Sequence, residues 1–211
     1  MSLIVSETME QCIHLQSSVK AQALLINVNG DARIPRFDVI INGTIANIQN
    51  YPFYAFIAHK TKSLKCGGAI IKTNVILTAA HCLSNKGLHV YTGIQALDDV
   101  QNSKPYRVKQ VIKYPKYRGQ AGYDIGLIIL STHIRLTPTV KVIPITNTSP
   151  RIGSKVTVVG FGGGDSGGPI VYGNRVIGLV SSGEYANCTG YDVQVAVAPY
   201  YGWIKKHLNN Y

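Results

Sequence analysis

From Ile40 onward the chain alternates short apolar runs with turn signals, and this spacing restricts it to a fold built of strands. The clearest runs are Tyr54–Ala58, Gly68–Ile71, Val75–Thr78, Val108–Lys113, Ile125–Leu130, Lys155–Val159, Pro169–Tyr172 and Val176–Val180. β-branched and aromatic residues recur in them, as a pleated and half-buried surface prefers. Gly173-Asn174 separates the last two runs by a two-residue step, the signal of a tight hairpin. Pro199 to Leu208 differs, with proline in a first turn and Trp203, Ile204 and Leu208 available for a core face, so it is expected to be a closing helix. Residues 1 to 39 show no clear strand pattern and contain a breaker-rich stretch from Asn29 to Pro35, so they read as an extension. With 211 residues, the expectation is an all-β domain over 40–211, long enough to divide into two sub-barrels.

The charge balance is strongly basic, with 21 Lys+Arg against 10 Asp+Glu for a net charge of +11. The cations lie in separate patches, such as Lys60 with Lys62 and the stretch Lys113 to Arg118. No basic helix or nucleic-acid motif gathers them, so they read as a solvated surface and no nucleic acid is expected as a partner. No apolar run is long enough to span a membrane. The first twenty residues carry Glu7, Glu10 and His14 in place of a basic region and apolar core, so no leader segment is read there. Three sequons, at Asn42, Asn147 and Asn187, are compatible with secretion. Of the four cysteines, Cys66 and Cys82 flank one strand-turn-strand stretch, a spacing compatible with a local disulfide, while Cys12 and Cys188 have no evident partner. No Cys/His spacing suggests a metal, and neither metal nor cofactor is expected.

Three stretches carry residues able to do chemistry. In LTAAHC, residues 77 to 82, small residues bring His81 to the corner after a strand. Histidine suits a general base because its ordinary pKa lies near neutrality, although a lone histidine more often has a structural role. In YDIGLIIL, residues 123 to 130, Asp124 stands before an apolar strand, where a buried carboxylate needs a partner. The alternative is a turn aspartate capping a strand entry. In GDSGGP, residues 164 to 169, Gly164 and Ser166 can aim two backbone N–H groups at one point, and Gly167 and Gly168 leave room beside the Ser166 hydroxyl. A hydroxyl is a weak nucleophile unless a base takes its proton and a third group orients that base. His81, Asp124 and Ser166 supply those types in the order His, Asp, Ser.

On TAAHC, DIGLIIL, GDSGGP and the closing VAPYYGWIKKHL, the chain from about Ile40 resembles the trypsin/chymotrypsin family of serine endopeptidases. The resemblance implies a two-barrel fold with a C-terminal helix and peptide-bond hydrolysis through an acyl-enzyme. It assigns Ser166 as nucleophile, His81 as proton shuttle, Asp124 as its orienting group and the amides of Gly164 and Ser166 as the oxyanion hole. Ser181, Ser182 and Gly183 match the segment that bonds the substrate backbone, and Gly183 and Gly190 match glycines that keep the specificity pocket open. IINGT, residues 40 to 44, resembles the mature N-terminus, with Ile40 paired to Asp165 after cleavage, which makes residues 1–39 propeptide-like. Secretion, zymogen processing, a Cys66–Cys82 disulfide, a monomeric state, protein or peptide substrates and protein inhibitors follow from the same resemblance.

The chain departs from that pattern in one place. Asp124 lies only 42 residues before Ser166, because VVGFG abuts GDSGGP at residues 158–169. About fifty residues of the second barrel are expected to be missing near 162–164, a loss that leaves strand edges unpaired. Gly162 stands where relatives carry a cysteine that would pair with Cys188, and the pocket-base residue falls on the join, leaving Glu184 as an acidic candidate at the pocket mouth. Val39 precedes Ile40 where relatives carry Arg or Lys. The competing expectations are a catalytically impaired, protease-like binding protein and a non-functional splice form.

Overall fold

A computed structural model of the chain describes residues 3–8, 23–27, 44–59, 65–84, 87–119, 121–162, 165–183 and 191–211. The strands are β1 (Ile4–Thr8), β2 (Ala23–Asn27), β3 (Thr44–Ile45), β4 (Tyr54–His59), β5 (Lys65–Lys72), β6 (Val75–Thr78), β7 (Leu88–Thr92), β8 (Tyr106–Lys113), β9 (Gly126–Leu130), β10 (Val156–Gly160), β11 (Pro169–Tyr172), β12 (Arg175–Gly183) and β13 (Tyr191–Ala196). The helices are a single turn, α1 (Asp99–Asn102), and the closing helix α2 (Tyr201–Leu208), which a 3-10 turn at Ala198–Tyr200 leads into.

Six strands close a barrel in the order β4-β5-β6-β9-β8-β7. The other seven form a second, open sheet in the order β2-β13-β12-β11-β10-β1-β3. The all-β expectation and the closing helix both hold.

Adjacent residues of one strand serve two cores, because their side chains point to opposite faces. On β9, Ile128 enters the barrel interior with Ile57, Ile70, Ile76 and Val90. Leu127 and Ile129 turn the other way and join Leu77, Val159, Phe161, Leu179 and Val195 in the layer between barrel and sheet. This double burial explains why the β6 and β9 sequences are continuously apolar and do not alternate. Each such isoleucine or leucine contributes roughly 1.5–3 kcal/mol by leaving water. The far face of the second sheet has a smaller core of Val156, Val158, Ile170 and Ile177.

Gly173 and Asn174 both take positive φ, 55° and 58°, which gives the right-twisted two-residue turn that lets β11 fold directly onto β12. α2 buries Ile204 completely, and Lys72 Nζ donates to the Leu208 carbonyl at 3.0 Å, satisfying an orphan carbonyl of its last turn.

The extension differs from expectation. β1 pairs antiparallel with β10 from Ile4↔Gly160 to Thr8↔Val156, and β2 pairs with β13 from Tyr191↔Asn27 to Val195↔Ala23. Both strands lie in the stretch that shows no clear strand pattern in sequence. Among the described residues, no helix is long and apolar enough to cross a membrane.

Candidate active site

β6 ends at Thr78, and the chain turns through a 3-10 step, Ala80–Cys82, that carries His81. A disulfide joins Cys82 to Cys66 on β5, with Cα atoms 6.2 Å apart, and fixes this corner to the barrel. The His81 side chain keeps 31 % of its surface in solvent, so a substrate can reach it.

Asp124 follows the 3-10 turn Ala121–Tyr123 and is only 3 % exposed. Three donors meet its carboxylate. His81 N donates to Oδ1 at 2.8 Å, His81 Nδ1 to Oδ2 at 2.6 Å, and Ser181 Oγ to Oδ2 at 2.7 Å. Burial pushes this carboxyl up, but the hydrogen bonds from His81 and Ser181 and the imidazole charge outweigh it, so its pKa falls below the ordinary value. In the neutral imidazole, a carboxylate that accepts at Nδ1 keeps the ring proton there and makes Nε2 the acceptor nitrogen. The turn-cap alternative for Asp124 therefore gives way to pairing with His81. Nothing in the sequence singles out Ser181 as a third partner, because β12 brings it there from 57 residues away.

Ser166 lies on the turn from β10 to β11 and is held by its backbone. Gly67 N donates to the Ser166 carbonyl at 2.8 Å, Gly167 N to Val180 O at 2.6 Å, and Gly168 N to Asp165 O at 2.7 Å. Thr78 Oγ1 donates to Gly67 O at 2.7 Å, so the end of β6 braces the strand that braces the serine. The bridged Cys82 Sγ lies 3.6 Å from His81 Nε2 and 3.4 Å from the Ser166 carbonyl oxygen, which puts the histidine and the serine backbone around one sulfur. The Ser166 hydroxyl itself is turned toward the Ser181 carbonyl at 3.5 Å. His81, Cys66 and Cys82 also form a compact His/Cys cluster, but bridged sulfurs offer no thiolate to a metal.

Asp165 folds back onto the join between the two glycine-rich signatures. Its Oδ1 accepts from Phe161 N at 2.7 Å and Gly162 N at 2.9 Å. A Cβ at Gly160 would fall 2.1 Å from that same oxygen, so glycine is required there. Burial raises the Asp165 pKa to about 7, against the downward pull of the two amides. A carboxyl raised in the fold holds its proton more tightly than in the unfolded chain. Its contribution to stability is therefore complete below the ordinary carboxylate pKa and is lost as pH climbs from there to about 7. In Asp165→Asn, the amide Oδ1 keeps both acceptor roles and no charge develops. We expect this variant to melt above the parent at pH 8 and to lose the parent's decline between pH 4 and 7, as read by thermal unfolding across pH.

Beyond Leu179, the last residue paired to β11, β12 continues through Ser182 and Gly183, which pair with Val193 and Asp192 of β13. Among the described residues, no strand covers their other side. Ile40, Gly164, Glu184, Gly190, Cys12 and Cys188 lie outside the described residues.

The family model for Trypsin matches in two pieces, residues 40–164 and 161–204, which meet inside the glycine-rich stretch. Granzyme M of Rattus norvegicus is 26 % identical over 237 residues, covering 83 % of this chain and 92 % of that protein. Trypsin alpha-4 of Lucilia cuprina is 28 % identical over 176 residues, covering 78 % and 67 %. Among solved structures, HBP superposes with a TM-score of 0.68 at 23 % identity, covering 82 % of this chain and 98 % of that one. Neuropsin, a serine protease expressed in mouse brain, superposes at 0.63 with 24 % identity, covering 78 % and 97 %.

Proposed function

Because the chain belongs to the trypsin family of serine proteases, we propose that it is a serine endopeptidase working through His81, Asp124 and Ser166. The observation that carries this reading is the 2.6 Å bond from His81 Nδ1 to the buried Asp124 carboxylate, which makes Nε2 the acceptor nitrogen of the neutral imidazole, beside the Cys82 sulfur that also touches the Ser166 turn. For reaction, the Ser166 hydroxyl swings from the Ser181 carbonyl to Nε2. Oγ attacks the scissile carbonyl carbon as its proton passes to Nε2, and the amides of Gly164 and Ser166 receive the oxyanion. His81 returns the proton to the leaving amine, and water repeats the sequence to release the acyl group from Ser166. The uncovered side of Ser182 and Gly183 suits an extended substrate backbone, which would add as a strand. Protein or peptide substrates follow from this reading, and the disulfide and sequons favour a secreted protein.

The second barrel is read as shortened. The alignment with that relative runs over 237 residues yet takes in only 83 % of a 211-residue chain, and among the described residues the second sheet does not close as the first barrel does. That openness, together with a Ser166 hydroxyl directed at the Ser181 carbonyl, favours the second reading of a protease-like binding protein. A fluorophosphonate probe separates the two. The endopeptidase is labelled at Ser166, as located by peptide mass mapping, and a chain that folds cooperatively yet takes no label is not an enzyme of this kind.

A further inference from the structure

β10, β11, β12 and β13 form a meander in which each strand pairs with its neighbour in sequence. Such a sheet has two open edges, one on β10 and one on β13, and each exposes a row of unpaired backbone N–H and C=O groups. In this chain, one short segment occupies both. β1 takes the β10 edge over five registered pairs, and β2 takes the β13 edge over five more. Leu3, just ahead of β1, is fully buried in the layer between barrel and sheet. Its amide donates to the Gln95 carbonyl at 2.8 Å, and its carbonyl accepts from Ala46 N at 2.9 Å. The segment thus touches both edges of the meander and the first barrel. It also lies outside the residues that match the family, which begin at residue 40.

We propose that the edges of β10 and β13 are strand-accepting surfaces whose partners are the chain's own β1 and β2, and that these two strands stay bound as a separate peptide when the chain is cut between β2 and β3. Retention follows from the pairing. Release would expose two sheet edges and the Leu3 socket at once, each costly in water or prone to pairing elsewhere. The placement also bears on the site. β10 runs directly into Phe161 and Gly162, whose amides hold Asp165, and β13 backs the strand that carries Ser181. A segment that reads as removable in sequence is on this account a fixed part of the second sheet.

The test needs no catalytic activity and is run in the full chain carrying Ser166→Ala, so that self-cutting plays no part. A recognition sequence for an added, unrelated protease replaces residues 31–38, and the purified protein is cut and passed over a sizing column under native conditions. We expect the N-terminal fragment to co-elute with the body and to separate only in denaturant. We also expect residues 156–160 and 191–196 to keep slow amide exchange after cutting. Elution of the fragment alone, with the body still melting cooperatively, overturns the proposal. Leu3→Asp combined with Val5→Pro, introduced in the same cleavable chain, is expected to release most of the fragment on cutting. Retention equal to the parent's would mean that β1 and its anchor are not what holds it.

Discussion

Ser166→Ala is expected to lower kcat for peptide hydrolysis by roughly 10⁴- to 10⁶-fold and to leave KM within a few-fold of the parent. In the proposed mechanism the hydroxyl oxygen attacks the scissile carbonyl carbon, so the loss is expected in the chemical step and not in substrate binding. The fold is expected to be indifferent to the change. The Ser166 turn is held by backbone bonds through Gly67, Gly167 and Gly168, and its hydroxyl makes only a 3.5 Å contact with the Ser181 carbonyl. Melting temperatures of parent and variant should therefore coincide within the shift that about 0.5 kcal/mol produces. Steady-state kinetics and a thermal scan on the same preparations decide the matter. Equal peptide turnover in the two proteins would remove Ser166 from the reaction and with it the reading of the site.

Asp124→Asn is expected to cost about 10⁴-fold in kcat with little change in shape, by inverting a proton. The parent carboxylate is acceptor-only and receives three donors, one of them His81 Nδ1–H. An asparagine at this position can still accept from His81 N at Oδ1, but its amide N–H₂ then faces Nδ1 and the Ser181 hydroxyl. Nδ1 must become the acceptor, the ring proton moves to Nε2, and the histidine can no longer take a proton from Ser166. The pH dependence supplies a second readout. The Asp124 pKa is lowered in the fold, so its contribution to stability is present above the ordinary carboxylate pKa and is lost as pH falls through the folded value. The asparagine variant should lose that acid-side decline while its kcat stays low at every pH. A variant that keeps most of its turnover would leave Asp124 a structural residue.

The elements legible in the sequence were those whose cause is local. Val75–Thr78 and Pro169–Tyr172 have the bounds that their sequence predicts, because apolar runs end at turn residues, and Gly173-Asn174 marks its own hairpin. His81 and Asp124 could be singled out because each sits at the end or start of an apolar strand, where a polar side chain needs a reason. The rest depended on distant partners. Leu88–Thr92 is short, mixed in polarity and stabilised as a strand by β4 and β8, which flank it in the barrel. Ser181 has no local mark of its contact with Asp124, which exists only once β12 lies beside a residue 57 positions earlier in the chain. Ile4–Thr8 contains Ser6, Glu7 and Thr8 and becomes a strand because β10 offers it an edge. No reading of periodicity within residues 1–39 contains that edge.

The position of β1 in the sheet sets an order of events during synthesis. The six strands of the closed barrel leave the ribosome consecutively, from β4 to β9, and find all their partners among themselves. β1 emerges before any of them, yet its long-range partner is the tenth strand to appear. Throughout that interval only its two-pair match with β3 is on offer, and the edge that β10 will take stays unsatisfied on every nascent chain of one message. Glu7, in the middle of IVSET, places a charge in each copy that opposes stacking of one upon another. The acidic residue that blurs this strand in the sequence is thereby suited to protecting it until β10 arrives.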